Sequence, residues 1–289
     1  MKKVLITGAS GFIGKYLTEG LDKILSTVCE VITFTGNLLD KENVRKQLEE
    51  IQPDYIIHCA AKSAGNAGMS GCCDNLVMTY NLAEYTPKNC LLIFLSSVTV
   101  YGDQENASVD TPMRPTSPYG ISKAACELLL NSYKDRGDFQ LWTLRLCATV
   151  GPNMTHGLVK DIINKVTGND NPITLFGASP GSIKPFIHVD EVMWLLVREI
   201  AKDIDGEWNN NRSAHPIMNI CPVNNLSVFS ILNIVMMYYD VKKDVIWDTS
   251  KIWKGDNKIL SPIPTKYYGY APSLSQHAIL DVLQEMNHV

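Results

Sequence analysis

Tyr119 and Lys123 stand four residues apart in Ser117-Pro118-Tyr119-Gly120-Ile121-Ser122-Lys123, a spacing that puts both on one face of a helix. A phenol has an ordinary pKa of about 10 and exchanges protons at neutral pH only when that value falls, as it does beside an ammonium. The spacing alone is common. It gains meaning from Gly8-Ala9-Ser10-Gly11-Phe12-Ile13-Gly14, where glycines let backbone approach a pyrophosphate and the next helix aims N–H groups and its positive dipole end at it. A third stretch, Leu95-Ser96-Ser97-Val98-Thr99-Val100-Tyr101-Gly102, delivers hydroxyls at the end of a strand. Together the three imply a Ser/Tyr/Lys site for redox chemistry on a bound dinucleotide.

Such a site needs a scaffold that brings distant stretches to one edge. Apolar runs over 4–7, 31–34, 55–58, 91–95 and 141–146 read as strands, with helical periodicity between them over 12–25, 41–51, 75–85 and 122–133. Nearly continuous apolar strands alternating with helices predict the α/β doubly wound class, a parallel sheet covered on both faces. Ligands of such sheets bind at the carboxyl ends of the strands. Beyond Pro152 the rhythm changes to helices over 158–166 and 190–201, a strand over 172–176, a return to the sheet over 217–220 and an apolar helix from Ser227 to Tyr239. The chain after it, rich in Pro, Tyr, Trp and Lys, reads as irregular. The expected division is a Rossmann-type dinucleotide-binding domain of 1–152 and 186–221 and a smaller discontinuous α/β substrate-binding lobe of 153–185 and 222–289.

With 289 residues, 45% of them hydrophobic, the chain can bury one large core and a smaller one. A net charge of -4 leaves no basic footprint for nucleic acid or an anionic membrane surface. The eight cysteines fall mostly in apolar runs and none has metal-ligand spacing, so they read as reduced, buried thiols of a cytoplasmic protein without a metal site. Met1-Lys2-Lys3 and the apolar residues after it loosely mimic a secretory signal, but the glycines at 8, 11 and 14 interrupt it. No apolar run approaches the length of a membrane span.

Over nearly its whole length the chain resembles the extended short-chain dehydrogenase/reductase superfamily, and within it the NAD-dependent epimerase/dehydratase family that acts on nucleotide sugars. The glycine turn, Gly36-Asn37-Leu38-Leu39-Asp40, His58-Cys59-Ala60-Ala61, Asn75 with Thr79 and Asn81, Ser96 to Gly102, Gly151-Pro152 and Lys184-Pro185-Phe186-Ile187-His188-Val189-Asp190 follow the order of its motifs. The resemblance implies catalytic roles for Ser97, Tyr119 and Lys123, with Tyr119 as general acid/base. It implies NAD or NADP held by Gly8, Ser10, Gly11, Phe12, Ile13, Gly14, Asn37, Leu38, Ala60, Ala61, Lys62, Asn75, Ser96, Tyr119, Lys123 and Leu146. A nucleotide-sugar substrate would meet Ser97, Tyr119, Lys184 and His156.

The departures narrow the reading. Phe34-Thr35-Gly36 stands where an acid would accept from the adenosine ribose of NAD, and no Arg is there to read the phosphate of NADP; Glu30 is a displaced acid better read as solvated. One strand serves where the family has two with a helix between. Val98 and Thr99 replace the Asp-Glu pair of the 4,6-dehydratases, which argues against dehydration. Ala148, Thr149 and Val150 precede Gly151, without the family's substrate-contacting Asn. Lys184 replaces an Arg, so any substrate diphosphate is neutralised without a bidentate grip, or is met by Lys251, Lys254, Lys258 or Lys266. His58 and His188 read as structural, and Trp247 and Trp253 as packing.

A trimmed adenosine side favours a cofactor exchanged at every turnover, and so a nucleotide 4-keto-sugar reductase over a 4-epimerase that retains it; a non-catalytic nucleotide-binding protein is disfavoured by the intact Ser97, Tyr119 and Lys123. Apolar Leu76, Met78 and Leu82 on one helix and Ala125, Leu128 and Leu129 on another exceed what one sheet contact needs, and in the resembled family these helices pair across a homodimer.

Overall fold

The structure, a computed structural model, describes residues 1–63, 68–206, 216–250, 261–266 and 271–287. Lys251, Trp253, Lys254 and Lys258 lie outside the described residues. The chain forms two compact units, one of Met1–Gly102, Thr111–Leu146 and Val192–Asn219, the other of Asp103–Asp110, Cys147–Glu191 and Ile220–Val289.

The first unit is built on β1 (Lys2–Thr7), β2 (Cys29–Thr33), β3 (Tyr55–His58), β4 (Leu91–Ser97), a strand of 140–146 and a strand of 217–220, in the spatial order β2, β1, β3, β4, 140–146, 217–220. The pairs β1/β2, β1/β3, β3/β4 and β4 with 140–146 are parallel. The last pair runs parallel too, since Thr143 N–H donates to Pro216 O and Cys147 N–H to Ile220 O, both strands advancing four residues between bonds. Every residue of β3 and β4 is buried, which explains why their sequences are apolar without alternation.

Helices cover the sheet. α1 (Phe12–Leu25) buries Gly14, Leu17, Leu21 and Leu25, one per turn; fully burying each such leucine contributes about 1.5–3 kcal/mol over leaving it exposed. α2 (Lys41–Ile51) starts at Asp40, whose carboxylate accepts from the Glu42 and Asn43 N–H groups, and stops at Gln52, held in the left-handed region at φ 48° ahead of Pro53. α3 (Gly68–Tyr85) and α4 (Pro118–Asp135) begin earlier than periodicity predicts. For α4 the reason is local: Ser117 accepts from Gly120 N–H at 3.1 Å, and Pro118 fits the first helical position because it has no N–H to satisfy. Tyr119 therefore sits in the first turn of the helix.

The apolar surplus on α3 and α4 divides differently from the sequence reading. Met78 and Leu82 join the core around Leu5, Ile56, Leu92 and Phe94. Leu76, Val77 and Tyr80 on α3 and Ile121 and Leu128 on α4 are exposed.

In the second unit, β5 (Glu105–Ala107) pairs with a strand of 261–262. After β6 (Gln140–Leu146), β7 (Ala148–Val150) pairs in parallel with Phe186–His188. Downstream of α5 (Leu158–Thr167), β8 (Ile173–Phe176) pairs with Val245–Asp248, and β9 (Ile183–Lys184) with Leu226–Ser227. The helix of Val228–Tyr238 is capped by Ser227, which accepts from Ser230 N–H at 3.0 Å. The tail expected to be irregular contains a helix, Ser275–Asn287, that buries Ala278, Ile279, Val282 and Leu283, a helical spacing hidden in a polar sequence. Its first residue, Ser275, accepts from Phe186 N–H at 3.0 Å and donates to Asn224 O at 2.9 Å. Among the described residues, no helix is long and apolar enough to cross a membrane.

Candidate active site

The turn between β1 and α1 is a backbone cradle. Gly8 has φ +71°, and a Cβ there would lie 2.7 Å from the Ala60 backbone; one on Gly14 would lie 2.2 Å from Gly8 O. Gly11 N–H closes the turn on Gly8 O at 2.9 Å. No side chain caps α1, so its leading N–H groups and dipole face the space beside exposed Ser10 and Gly11 and half-buried Phe12 and Ile13. That geometry fits a dinucleotide pyrophosphate, and Gly8 and Gly14 are the two positions where a side chain would not fit.

Ala60, Ala61 and Lys62 leave β3 beside this turn under a connected set of hydrogen bonds. Thr7 Oγ1 accepts from Ala60 N–H at 3.3 Å and bonds His58 Nδ1 at 2.7 Å, while His58 Nε2 reaches Thr79 Oγ1 at 3.1 Å. Burial, helped by the Lys123 charge, brings His58 down to about 3, so the imidazole is a neutral strut. Asn75 Oδ1 accepts from Lys62 N–H at 2.7 Å, and its amide donates to Lys62 O and to Ser122 Oγ, both at 3.1 Å. The Lys62 ammonium pairs with Asp74. Further out, exposed Asn37 accepts from Leu39 N–H at 3.0 Å, and the buried Leu38 is fixed through its carbonyl by Asn81 Nδ2 at 2.9 Å.

Ser97 ends β4 and caps the 3₁₀ turn Val98–Tyr101. Its oxygen accepts from Thr99 N–H at 3.2 Å and from Thr99 Oγ1–H at 3.0 Å, which leaves its own hydrogen to be offered elsewhere. The first turn of α4 presses on this turn, since a Cβ on Gly120 would come within 2.6 Å of Thr99 O. The first turn of α4, which carries Tyr119, is thereby set against the turn that follows Ser97. Leu146, 5% exposed, ends the next strand of the sheet in register with Ser97.

Lys123 occupies a different relation to Tyr119 from the one expected. Its ammonium donates to Leu95 O at 2.6 Å, stands 4.6 Å over the Phe94 ring and 5.8 Å from the Tyr119 ring centre, and is 3% exposed. Burial brings it down to about 8. Tyr119 is pushed up to about 12, by burial first and then by Cys126, so the expected lowering of the phenol by the lysine is not seen. At neutral pH the Tyr119 hydroxyl holds its proton.

Ser96 faces away from this edge into a network that periodicity does not reveal. Its hydroxyl donates to Glu127, which takes two or more bonds from Arg145, the shortest 2.7 Å; Arg145 also donates to Tyr101 Oη at 2.7 Å, and Tyr101 to Asn219 Oδ1 at 2.6 Å. Glu127, Arg145, Tyr101 and Asn219 are all buried. The sequence signal was available: Arg145 and Glu127 are charges inside otherwise apolar segments.

Two of the four residues read as substrate-contacting, His156 and Lys184, line one cavity of about 150 Å³ in the second unit, with Thr149, Met154 and Phe186. Gly157 and Leu158 also line it, at the start of α5, whose cap position Gly157 has φ 109° and supplies no side-chain bond. The cavity thus combines a helix dipole end, an ammonium and an imidazole that shares a 3.0 Å contact with Thr155 Oγ1. Elsewhere in this unit, buried His188 bonds Glu285 through Nε2 at 3.0 Å and accepts from Asp190 N–H at 3.3 Å, a structural role. Trp247 packs beside Gly181, where a Cβ would lie 3.3 Å from its ring, and Lys266 is exposed. Among the described residues no cluster of His, Cys, Asp and Glu could hold a metal ion, and every described cysteine is a free thiol.

Residues 4–211 match the NAD dependent epimerase/dehydratase family. The chain belongs to that family. It is an NAD(P)-dependent enzyme. It is 26% identical over 240 residues to a UDP-glucose 4-epimerase of Mycoplasma genitalium, covering 66% of this chain and 68% of that protein. It is 26% identical over 244 residues to a GDP-6-deoxy-D-talose 4-dehydrogenase of Aggregatibacter actinomycetemcomitans, covering 81% and 79%. Among solved structures, dTDP-4-dehydrorhamnose reductase of Bacillus anthracis in complex with NADP superposes with a TM-score of 0.80 over 99% of both chains at 18% identity, a likeness of fold.

Proposed function

We propose that the protein reduces a 4-keto group on a nucleotide-linked sugar. The observation that carries this reading is the Ser97 hydroxyl, whose oxygen is filled by the Thr99 N–H and hydroxyl and whose hydrogen is left to give to a ketone oxygen. A ketone oxygen needs two donors as it gains negative charge; an alcohol awaiting oxidation needs an acceptor. When bound, the nicotinamide supplies the hydride. Tyr119 then delivers the proton to the carbonyl oxygen, Ser97 steadies the same oxygen, and Lys123, tethered to Leu95 O, keeps a positive charge beside them. Val98 and Thr99 bring no carboxylate to this edge, which disfavours elimination of water.

The exposed Thr35, Gly36 and Asn37 at the end of edge strand β2 support the same direction, because a reductase must exchange its dinucleotide every turnover. For the substrate, the cavity at the start of α5 supports a diphosphate: Lys184 and the uncapped helix end offer positive charge and N–H donors, and His156 a further donor.

A 4-epimerase is the second reading, favoured by the similarity to the Mycoplasma UDP-glucose 4-epimerase. One assay separates the two. Purified protein mixed with reduced dinucleotide and a nucleotide 4-keto-6-deoxy sugar should consume the reduced dinucleotide in proportion to product. Interconversion of UDP-glucose and UDP-galactose with no net oxidation of dinucleotide would replace the reductase reading with the epimerase.

A further inference from the structure

Lys184 lies where the chain changes partners. Ile183 and Lys184 pair antiparallel with Leu226 and Ser227, Lys184 opposite Leu226, whereas Phe186 to His188 pair in parallel with β7. Pro185, between them, brings no N–H to either pairing. Lys184 and Phe186 both line the cavity at the start of α5, so the wall of that cavity is interrupted at its cationic residue. Phe186, the first residue after the interruption with an N–H to place, is 2% exposed, and that N–H needs an acceptor inside the protein.

Ser275 supplies it. Its hydroxyl oxygen accepts from Phe186 N–H at 3.0 Å and its hydrogen goes to Asn224 O at 2.9 Å, while its own N–H donates to Asn224 Oδ1 at 2.8 Å. Asn224 stands two residues before Leu226, the partner of Lys184. One fully buried hydroxyl therefore grips the chain on both sides of Lys184, directly after it at Phe186 and across the strand pair at the approach to Leu226. The helix that Ser275 begins is fixed to the same stretch on either side of that bond. Ser273 donates through its N–H and hydroxyl to the Glu191 carboxylate at 3.0 and 2.6 Å, and Glu285 meets His188 Nε2 at 3.0 Å. Ala278, Ile279, Val282 and Leu283 are buried beneath it, so the serine is carried by a packed helix.

We propose that Ser275 is a positioning residue for the substrate cavity: it sets where the Lys184 ammonium stands by holding the backbone on either side of that lysine. A lysine offers a point charge on a flexible stem, without the planar fork by which an arginine aligns itself on a phosphate. Where its backbone is held then decides how well the charge meets its anion, and a hydroxyl bonded on two sides narrows that place. The inference rests on the reading of Lys184 as the cation for a substrate diphosphate and is independent of whether the sugar is reduced or epimerised.

The test is calorimetric titration of the full-length chain, saturated with NAD, with UDP, dTDP and GDP, unreactive probes that carry the diphosphate, at low and at high salt. The tightest-bound of the three is carried through the variants. Ser275→Ala should weaken it roughly fivefold at low salt and less than about twofold at high salt, because the attraction lost is one that salt screens, and NAD affinity should stay within about twofold. Ser275→Thr, which keeps the hydroxyl, should restore binding. The double variant with Lys184→Ala should bind no more weakly than Lys184→Ala alone, since a residue that acts through the ammonium has nothing left to lose once it is gone. Asn224→Ala, which releases the Ser275 N–H, serves if Ser275→Ala fails to fold as judged by circular dichroism. A loss that persists at high salt, or that adds in full to the loss in Lys184→Ala, would overturn the positioning role and leave Ser275 to packing. Unchanged affinity in Ser275→Ala beside a weakened Lys184→Ala would overturn it and leave the Lys184 reading standing. Unchanged affinity in Lys184→Ala, or failure of all three probes to bind the unaltered protein, would overturn both.

Discussion

The Thr99 backbone N–H and hydroxyl both donate to the Ser97 oxygen, so a residue that need not touch any ligand decides which way the Ser97 hydrogen can point. On the proposed mechanism Thr99→Val should lower kcat about tenfold, the scale of one misdirected hydrogen bond, with KM nearly unchanged. Thr99→Ser should restore it, because the second donor returns. Steady-state kinetics of the pair decides the matter: equal loss in both variants would assign Thr99 to packing alone.

Tyr119→Phe removes the proton and keeps the ring. Turnover should fall by about 100-fold or more, and dinucleotide affinity should remain. Since the phenol is pushed up to about 12, wild-type reduction should show no loss assignable to Tyr119 between pH 6 and about 8. Undiminished turnover of the variant on a confirmed substrate would remove Tyr119 from the mechanism.

His58 should make the fold acid-sensitive in a defined window. Its folded value of about 3 lies below the ordinary 6.5, so between those values the unfolded chain binds the extra proton. Its contribution is fully present above about 6.5 and is lost as pH falls toward 3, with a slope of at most about 1.4 kcal/mol per pH unit. Denaturant titrations at several pH values should show this slope in the wild type and a flatter one in His58→Gln, where the amide can still bridge Thr7 and Thr79 without titrating.

Lys184→Ala should weaken nucleotide-sugar binding roughly tenfold at low salt while leaving dinucleotide binding alone. The difference should shrink as ionic strength rises, because a half-exposed ammonium is screened over about 8–10 Å. Lys184→Arg should retain or improve affinity. Calorimetry at two salt concentrations reads all three variants, and equal affinities at low salt would move the diphosphate site elsewhere.

Exposed Leu76, Val77 and Tyr80 on α3 and Ile121 and Leu128 on α4 lead us to propose a homodimer through these helices. Leu128 is 64% exposed, so Leu128→Glu should leave the protomer folded while shifting sedimentation from dimer to monomer at tens of micromolar, roughly where micromolar dimers persist. A wild-type monomer at that concentration would end the proposal.

Much of the architecture could be read from the sequence because it obeys a period. The apolar runs of β3 and β4 have no polar alternation to confuse them, glycines precede α1, and Asp40 and Pro53 bound α2. Starts of α3 and α4 were misjudged because Gly68 and Pro118 are weak helix formers, and at α4 a Ser cap makes proline welcome. The site was legible as residue types and not as directions. Nothing in Tyr-x-x-x-Lys says that the ammonium will turn to Leu95 O instead of the phenol, and nothing in Ser-Ser says that one hydroxyl serves Glu127 while the other is held by Thr99. Those choices depend on strands far away in sequence.

The buried chain from Ser96 through Glu127, Arg145 and Tyr101 to Asn219 ties α4 to three neighbouring strands of the sheet and to the turn after β4. Freeing α4 alone would strand a buried charge, at a cost of about 3–5 kcal/mol for one broken partner. The helix that carries Tyr119 and Lys123 should accordingly exchange its amide hydrogens only with the sheet as a whole, as one cooperative block. Whatever local opening admits and releases a cofactor must then occur away from the proton-transfer edge, and the exposed segment after β2, held mainly by two amide side chains of α2, is where the molecule can yield at least cost.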